Sequence, residues 1–401
     1  MPSIPRAPLL IAALVATFAT TAWADAPVSP MPMIVVDKGN VSIVNRSGAR
    51  VLADCRYLEE IRIVAGPERG KVQQDWKPCY LSGLAVHPPT GRWAVAAVLM
   101  DGTVRMEVAG RDVVLPTDKA GRRKAGDFLI LGDRNGVVAV TPGNTEMWTT
   151  DGTYRSQQPT AFTEDGARVL VNASNSSMCQ WWSWSFGPRP GGLRVLPPGA
   201  TDGNCNQLVP GEPRTVLKHQ RDGIRIATLD PTGTKPWKVA RALRQERRGM
   251  EMALVLGDTL VFYREGAQHP ESGVCDESRP GTYRRIELST GEERVWETLE
   301  GECYTKDFIM ASARRRTVYY LKGKDPTDGG VRLFEYALDS GTPRELDVES
   351  LFGMLDISPD GQTLLLFTYR QGLVLYDVDS GSVVPVGGMS KDGTARLLAP
   401  R

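Results

Sequence analysis

The sequence predicts an all-β fold, a β-propeller of four-stranded antiparallel blades, with eight blades favoured and seven the alternative. Three observations predict it. Helical periodicity is nearly absent, and short runs of Val, Ile, Leu, Tyr and Thr recur between Gly, Asp, Asn and Pro, the pattern of many short antiparallel strands. One segment, LDISPDGQTLLLFTYRQGLVLYDVDSGSVVPV at 355–386, divides into the strands LDIS, QTLLLFTY, GLVLYDV and SVVPV. Its turns return along the chain, and a four-stranded repeat of about 45 residues is the mark of a propeller.

Each element follows from that plan. SPDG (358–361) turns the first strand into the second, because Asp-Gly supplies the positive φ that a tight hairpin needs. HPPTG (87–91) and TEDG (163–166) take the same place earlier in the chain. The third-to-fourth turn recurs as LDPTG (229–233), LSTG (288–291), LDSG (338–341) and VDSG (378–381). Units are placed near Asn40, Tyr80, Asp127, Thr160, Asn206, Glu251, Lys306 and Gly353, the one at 127–157 being short. MIVVD (33–37) or TARLLAP (394–400) is expected to close the ring on the last blade.

The opening MPSIPRAPLLIAALVATFATTAWADAP reads as a signal peptide over 1–24: Arg6 supplies the positive charge, an apolar run covers 9–22, and Ala22-Trp23-Ala24 fits the cleavage rule. The run is too short for a good membrane span, and no cysteine follows it to carry a lipid. Residues 25–401 are then one exported propeller domain, expected in the periplasm or, alternatively, the medium. A net charge of +1 with 24% charged residues excludes the basic excess of a nucleic-acid binder and the composition of a disordered tail.

Six cysteines in an exported chain read as disulfides. Second-to-third loops and interblade loops emerge on one face, the top. Cys55, Cys179 and Cys275 fall in second-to-third positions, and Cys79, Cys205 and Cys303 in the interblade loops that follow. The expected pairs are Cys55–Cys79, Cys179–Cys205 and Cys275–Cys303, although six cysteines allow 15 connectivities. CQWWSWSFG (179–187) becomes a third strand with Trp182, Trp184 and Phe186 on one face and Trp181, Ser183 and Ser185 on the other. Propeller blades bury both faces, so the aromatic row is interblade packing; only Trp181 and Trp182 reach the top rim, where a ligand could stack.

Candidate binding residues cluster on that face. Arg122 and Arg123 lie in one basic loop with Lys119 and Lys124, and Arg244 in another with Arg241, Arg247 and Arg248. Either could attract an anionic surface, though such runs are commonly solvated. His269 and Asp276 belong to the long loop REGAQHPESGVCDESRPG. Asp127, Gln207, Glu251 and Asp307 are placed at the channel mouth. No catalytic residue is assigned, because His87 sits in a bottom turn and His219 in a strand, and no metal ligand set is assigned. No resident cofactor is expected; the one cation with a candidate place is calcium, beside Asp325 and Asp328 in KDPTDGG.

SPDGQTLLLF followed by LVLYDVDSG resembles the repeat of bacterial periplasmic propellers of the Tol-system kind, and also the propeller domain of prolyl oligopeptidases. Agreement covers the last blade. No GxSxG elbow is present, so the second resemblance implies no peptidase activity. LDPTGTKPW (229–237) resembles the tryptophan-docking repeat of quinone-cofactor dehydrogenases, but most blades lack it. The expected function is non-enzymatic binding of a protein or envelope component through the disulfide-braced top loops. The alternative is a lactonase-like hydrolase with carboxylates, and a divalent cation, at the channel mouth.

Overall fold

The computed structural model describes residues 28–63, 65–99, 103–115, 126–142, 156–174, 179–186, 191–195, 207–209, 212–220, 223–228, 238–243, 250–264, 266–267, 276, 278–299, 309–323 and 331–399. The signal-peptide reading of 1–24 lies outside them. In chain order the strands are β1 (Met33–Asp37), β2 (Asn40–Asn45), β3 (Gly48–Arg62), β4 (Val72–Pro78), β5 (Tyr80–His87), β6 (Arg92–Leu99), β7 (Thr103–Val108), β8 (Arg111–Asp112), β9 (Gly126–Asp133) and β10 (Gly136–Pro142). Next come β11 (Ser156–Phe162), β12 (Arg168–Ser174), β13 (Cys179–Ser185), β14 (Gly191–Val195), β15 (Gln207–Val209), β16 (Glu212–Gln220), β17 (Gly223–Thr228) and β18 (Lys238–Leu243). β19 (Met250–Leu256), β20 (Thr259–Arg264), β21 (Gly281–Glu287), β22 (Glu293–Leu299), β23 (Ile309–Ser312), β24 (Thr317–Lys322), β25 (Arg332–Ala337) and β26 (Pro343–Leu346) follow. The last are β27 (Leu351–Ile357), β28 (Thr363–Thr368), β29 (Gly372–Asp377), β30 (Val383–Gly387) and β31 (Thr394–Leu397).

Among the described residues these strands form seven antiparallel sheets. The first runs β31-β1-β2-β3 and continues through β3 into β4, β7 and β8; the second runs β5-β6-β9-β10; the other five take four consecutive strands each. Two expectations are corrected here. The unit placed near Asp127 is not a repeat: β9 pairs with β6 from Trp93↔Gly132 to Leu99↔Gly126, so β9 and β10 complete the sheet that β5 begins. An insertion carrying β7 and β8 separates its halves and imitates a blade boundary. Closure also differs, because MIVVD and TARL pair with each other, Met33↔Leu397 to Val36↔Thr394, in the first sheet rather than the last.

The continuous apolar runs are explained by burial on both faces. In β28, Leu364 and Leu366 pack with Tyr319, Leu321 and Leu333 of the sixth sheet. The alternate residues Leu365 and Phe367 pack with Met33, Val35 and Val44 of the first. Similar layers join first to second sheet (Val41 and Ile43 with Val95 and Ile130), second to third (Leu129 and Leu131 with Val169 and Val171), fourth to fifth (Ile226 with Val255 and Phe262) and fifth to sixth (Val261 and Tyr263 with Val318 and Tyr320). Between third and fourth, the fourth sheet's side chains other than Ile226 fall outside the described residues. Because the seventh sheet packs on the first, the series turns back on itself as a β-propeller. Trp184 and Phe186 belong to the second-to-third layer and are interblade packing, as the alternation predicts; the side chains of Trp181 and Trp182 lie outside the described residues.

The repeated first-to-second turns share one hydrogen-bond scheme. The Ser358 hydroxyl donates to Asp360 Oδ1 and accepts from the Thr363 N–H, while Asp360 Oδ1 accepts from the Gln362 N–H. Thr163 and Asp165 repeat each bond, with the Arg168 and Ala167 N–H groups as donors. Gly361 and Gly166 take φ of 75° and 64°, a region that side chains disfavour. These Ser/Thr-x-Asp-Gly boxes set strand register from local chemistry alone.

Candidate binding face

β3 is 15 residues long, more than a blade strand of this ring needs. Its first half, up to Asp54, pairs with β2. From Cys55 onward it leaves the blade and pairs with β4 over Arg56↔Pro78 to Arg62↔Val72, and with β7 over Cys55↔Val108 to Glu59↔Thr103. β8 adds to β7. The result is a small sheet, β4-β3-β7-β8, on the face where the interblade and second-to-third connections emerge.

A disulfide stands at its root. Cys55 and Cys79 are bonded, with Cα atoms 5.3 Å apart, and both are buried. The pair was expected; the reason was not. Cys55 lies inside the extended fourth strand of its sheet, not in a second-to-third loop, and Cys79 leads directly into β5. The carbonyl of Gly39 (φ 78°) accepts the Cys55 N–H at 2.8 Å. A Cβ there would fall 2.7 Å from the Cys55 carbonyl oxygen and 2.9 Å from Pro78, so only glycine lets the turn reach the disulfide.

The two faces of the small sheet differ. Tyr57, Met106 and Val108 point into the core layer shared with the first two sheets. The other face carries Trp76, half-buried, with the Arg56 guanidinium 4.9 Å and the Arg105 guanidinium 5.6 Å from its ring centroid. Arg56 grips Glu107 Oε2 through Nε (2.9 Å) and Nη2 (2.6 Å), and Arg105 reaches Glu107 Oε1 at 3.1 Å. Glu107 is 9% exposed, so its charge depends on these two partners. Arg105 also holds Asp112 through both carboxylate oxygens, which keeps the Asp112 carboxyl below its ordinary range and raises the guanidinium. Each cation–π contact at such a site contributes about 0.5–1 kcal/mol. Aromatic and arginine side chains held rigid on a protruding sheet are the composition of interface anchors.

The channel-side strands add further groups. Tyr80, the first residue of β5, is 62% exposed at the top. Phe352 packs edge-on against Phe367 and Tyr369, and Tyr369 is exposed on the same side. Deeper, Asp356 Oδ2 accepts the Leu397 N–H at 2.7 Å and so ties β27 to β31. Burial pushes its carboxyl upward, opposed by the Arg396 charge and backbone N–H groups.

The expected site residues divide. Arg122, Arg123, Arg244, His269, Asp307, Cys205, Cys275, Cys303, Asp325 and Asp328 lie outside the described residues. Asp127 is in β9, a third strand opposite Val98, which removes it from the channel mouth. Arg241 is in β18, not in a loop. Gln207 and Glu251 lie at the starts of β15 and β19, the first strands of their sheets. Trp181 and Trp182 pair with Asn172 and Val171 in β13, where Cys179 also lies, at the end nearer the second-to-third connection. Asp276 is engaged locally: Oδ1 accepts from the Ser278 N–H and hydroxyl and Oδ2 from Arg279 Nε. These bonds, the Ser278 hydroxyl first, hold its carboxyl at about 2 and give it a turn-capping role. Among the described residues no three His, Cys, Asp or Glu side chains are grouped to hold a metal, and no helix is long and apolar enough to cross a membrane.

Arg56, Trp76 and Arg105 escaped sequence reasoning. The signal was present in GARVLADCRYLEEIRIV, an alternating run too long for one blade strand, and in the polar strand VQQDWKP facing it.

No family model and no curated protein matches the sequence. Among solved structures, the periplasmic gluconolactonase of Pseudomonas aeruginosa is 15% identical with a TM-score of 0.46, over 92% of this chain and 99% of that one. TolB from Acinetobacter baumannii is 12% identical with a TM-score of 0.37, over 79% and 82%. An oligogalacturonate lyase in complex with manganese is 16% identical with a TM-score of 0.38; the match covers 55% of this chain and 62% of the lyase. Likeness this distant carries no argument about what the chain binds or catalyses.

Proposed function

We propose that residues 25–401 form a single seven-bladed propeller, exported to the periplasm, that binds a protein or envelope component through its top face without catalysing a reaction. The observation that carries this reading is the protruding sheet: the Cys55–Cys79 disulfide fixes its base, and Arg56, Trp76 and Arg105 form a preorganised aromatic–cationic surface on it. Preorganisation lowers the ordering cost of association. Gln207 and Glu251 border the mouth in this reading, and Arg122, Arg123, Trp181, Trp182, Arg244, His269 and Asp307 extend the face around it. No resident cofactor is invoked.

The test is affinity capture from envelope extract with purified wild type, Trp76→Ala and Arg105→Ala, each shown to fold by its thermal transition. The reading expects a discrete protein or envelope component held by wild type and lost from both variants. Identical capture by all three overturns it, as does hydrolysis of lactones that chelator abolishes.

A further inference from the structure

We propose that β4 is a self-complementary edge at which two copies of this chain pair, antiparallel, about a two-fold axis passing through Gln74.

The ladder between β3 and β4 is bracketed by the Cys79 N–H on the Cys55 carbonyl and the Ile63 N–H on the Lys71 carbonyl, with unbroken register between them. Backbone groups alternate sides along a strand, so the odd residues of β4 bond to β3. Val72, Gln74 and Trp76 therefore turn their N–H and C=O groups to the outer edge. Among the described residues no strand pairs there.

Among the described residues the other outer edges are blunted. The fourth strands β10, β14, β18, β22 and β30 all carry register breaks against their neighbours. β26 is four residues long and bears Arg344 and Glu345, and β8 has two residues. Bulges, charges and brevity are the ordinary protections of a sheet edge. β4 has seven residues and no break; of the four whose backbone faces outward, Val72, Gln74, Trp76 and Pro78, none is charged, and Pro78, which lacks an N–H, stands at the end of the strand outside the Val72–Trp76 stretch.

The sequence of the edge points to a second copy as the occupant. Antiparallel pairing centred on Gln74 sets Val72 opposite Trp76 of the other copy, twice. Aromatic against β-branched is a favourable cross-strand pair, and it covers Val72, which is 53% exposed. Charge does not oppose the approach: Arg56 and Arg105 are balanced by Glu107 and Asp112 on that face. On the other face Lys77 comes beside Lys71 of the second copy, but Lys77 is already paired with Glu59 and Lys71 with Glu68. Gln74 lies five residues from Cys79, about 17 Å of strand. The two propellers then stand roughly 34 Å apart at their disulfides, top face to top face, with room for both hairpins. Such pairing makes the binding face bivalent, yet does not depend on any partner.

Gln74 donates to Glu60 Oε1 at 2.6 Å, which makes it a sensitive probe. Gln74→Glu gathers four carboxylates around the axis, two of them Glu60; Gln74→Lys does not. Analytical ultracentrifugation of the mature chain should give a concentration-dependent dimer, a dissociation constant weakened at least about tenfold by Gln74→Glu, and recovery when Gln74→Glu and Gln74→Lys proteins are mixed. Gln74→Pro, which removes an N–H that β3 does not use, should abolish the dimer while leaving the thermal transition in place. A wild-type monomer at every concentration, a dimer indifferent to Gln74→Glu, or failure of the mixture to recover overturns the proposal; a monomer whose β4 instead captures a foreign strand does so too.

Discussion

Leu365 and Leu366 are adjacent in β28, both with no exposed surface, and they point to different neighbours, the first sheet and the sixth. In a two-layered sandwich one of them would face solvent. In this ring both face an apolar layer, so Leu365→Ala and Leu366→Ala should cost similar amounts. Truncating a fully buried leucine costs about 3 kcal/mol, within a range of roughly 2–5, because the cavity only partly collapses. Unfolding a domain of this size carries an entropy of about 0.8 kcal/mol per degree, so each variant should melt roughly 4 °C lower. Val384→Thr in β30, a residue 40% exposed on the outer strand, should stay within about 0.5 kcal/mol. Thermal and guanidinium unfolding of the three variants supply the comparison. A penalty at one leucine and tolerance at the other would refute burial on both faces, and with it the ring.

Gly132 opposes Trp93 so closely that a Cβ would fall 2.1 Å from the indole and 2.6 Å from the Gly136 carbonyl oxygen; Gly132→Ala should destabilise the second sheet by about 1–3 kcal/mol, read by equilibrium unfolding. Replacing Cys55 and Cys79 by serine opens a loop of sequence separation 24, which the chain-entropy model values at about 3.5 kcal/mol; limited proteolysis should then cut between β3 and β4 well before the blades. Asp276 should titrate near pH 2 by carboxyl NMR, and Ser278→Ala should move it back toward the ordinary range. Since that pKa lies below the unfolded value, its stabilisation of the turn is complete above the ordinary carboxylate range and is lost as pH falls toward 2.

Much of the blade plan was legible because it is written in local chemistry. Ser358-x-Asp360-Gly361 and Thr163-x-Asp165-Gly166 each specify a turn without reference to the rest of the chain, and TLLLF in β28 announces burial on both sides. The place of β9 was not legible, since an insertion separates it from β6 and pairing across it is non-local. Closure was half legible: both end segments look like strands, but nothing in either says that Val35 sits opposite Ala395. The cysteine pair was predicted correctly from a wrong strand assignment, because Cys55 and Cys79 reach the same face whether β3 ends at Asp54 or continues beyond it. The Arg56–Trp76–Arg105 cluster was missed because its members are far apart in sequence and meet only when β3, β4 and β7 lie side by side.

Pairing of the two end segments within one sheet tests the ring most directly. Val35 and Ala395 are opposed in β1 and β31 and both buried, at a cross-strand spacing a disulfide can bridge. Non-reducing peptide mapping of oxidised Val35→Cys/Ala395→Cys protein should recover a single new link between the β1 and β31 peptides. Two free thiols in folded protein, or a link from residue 35 to any other strand, would contradict the closed propeller.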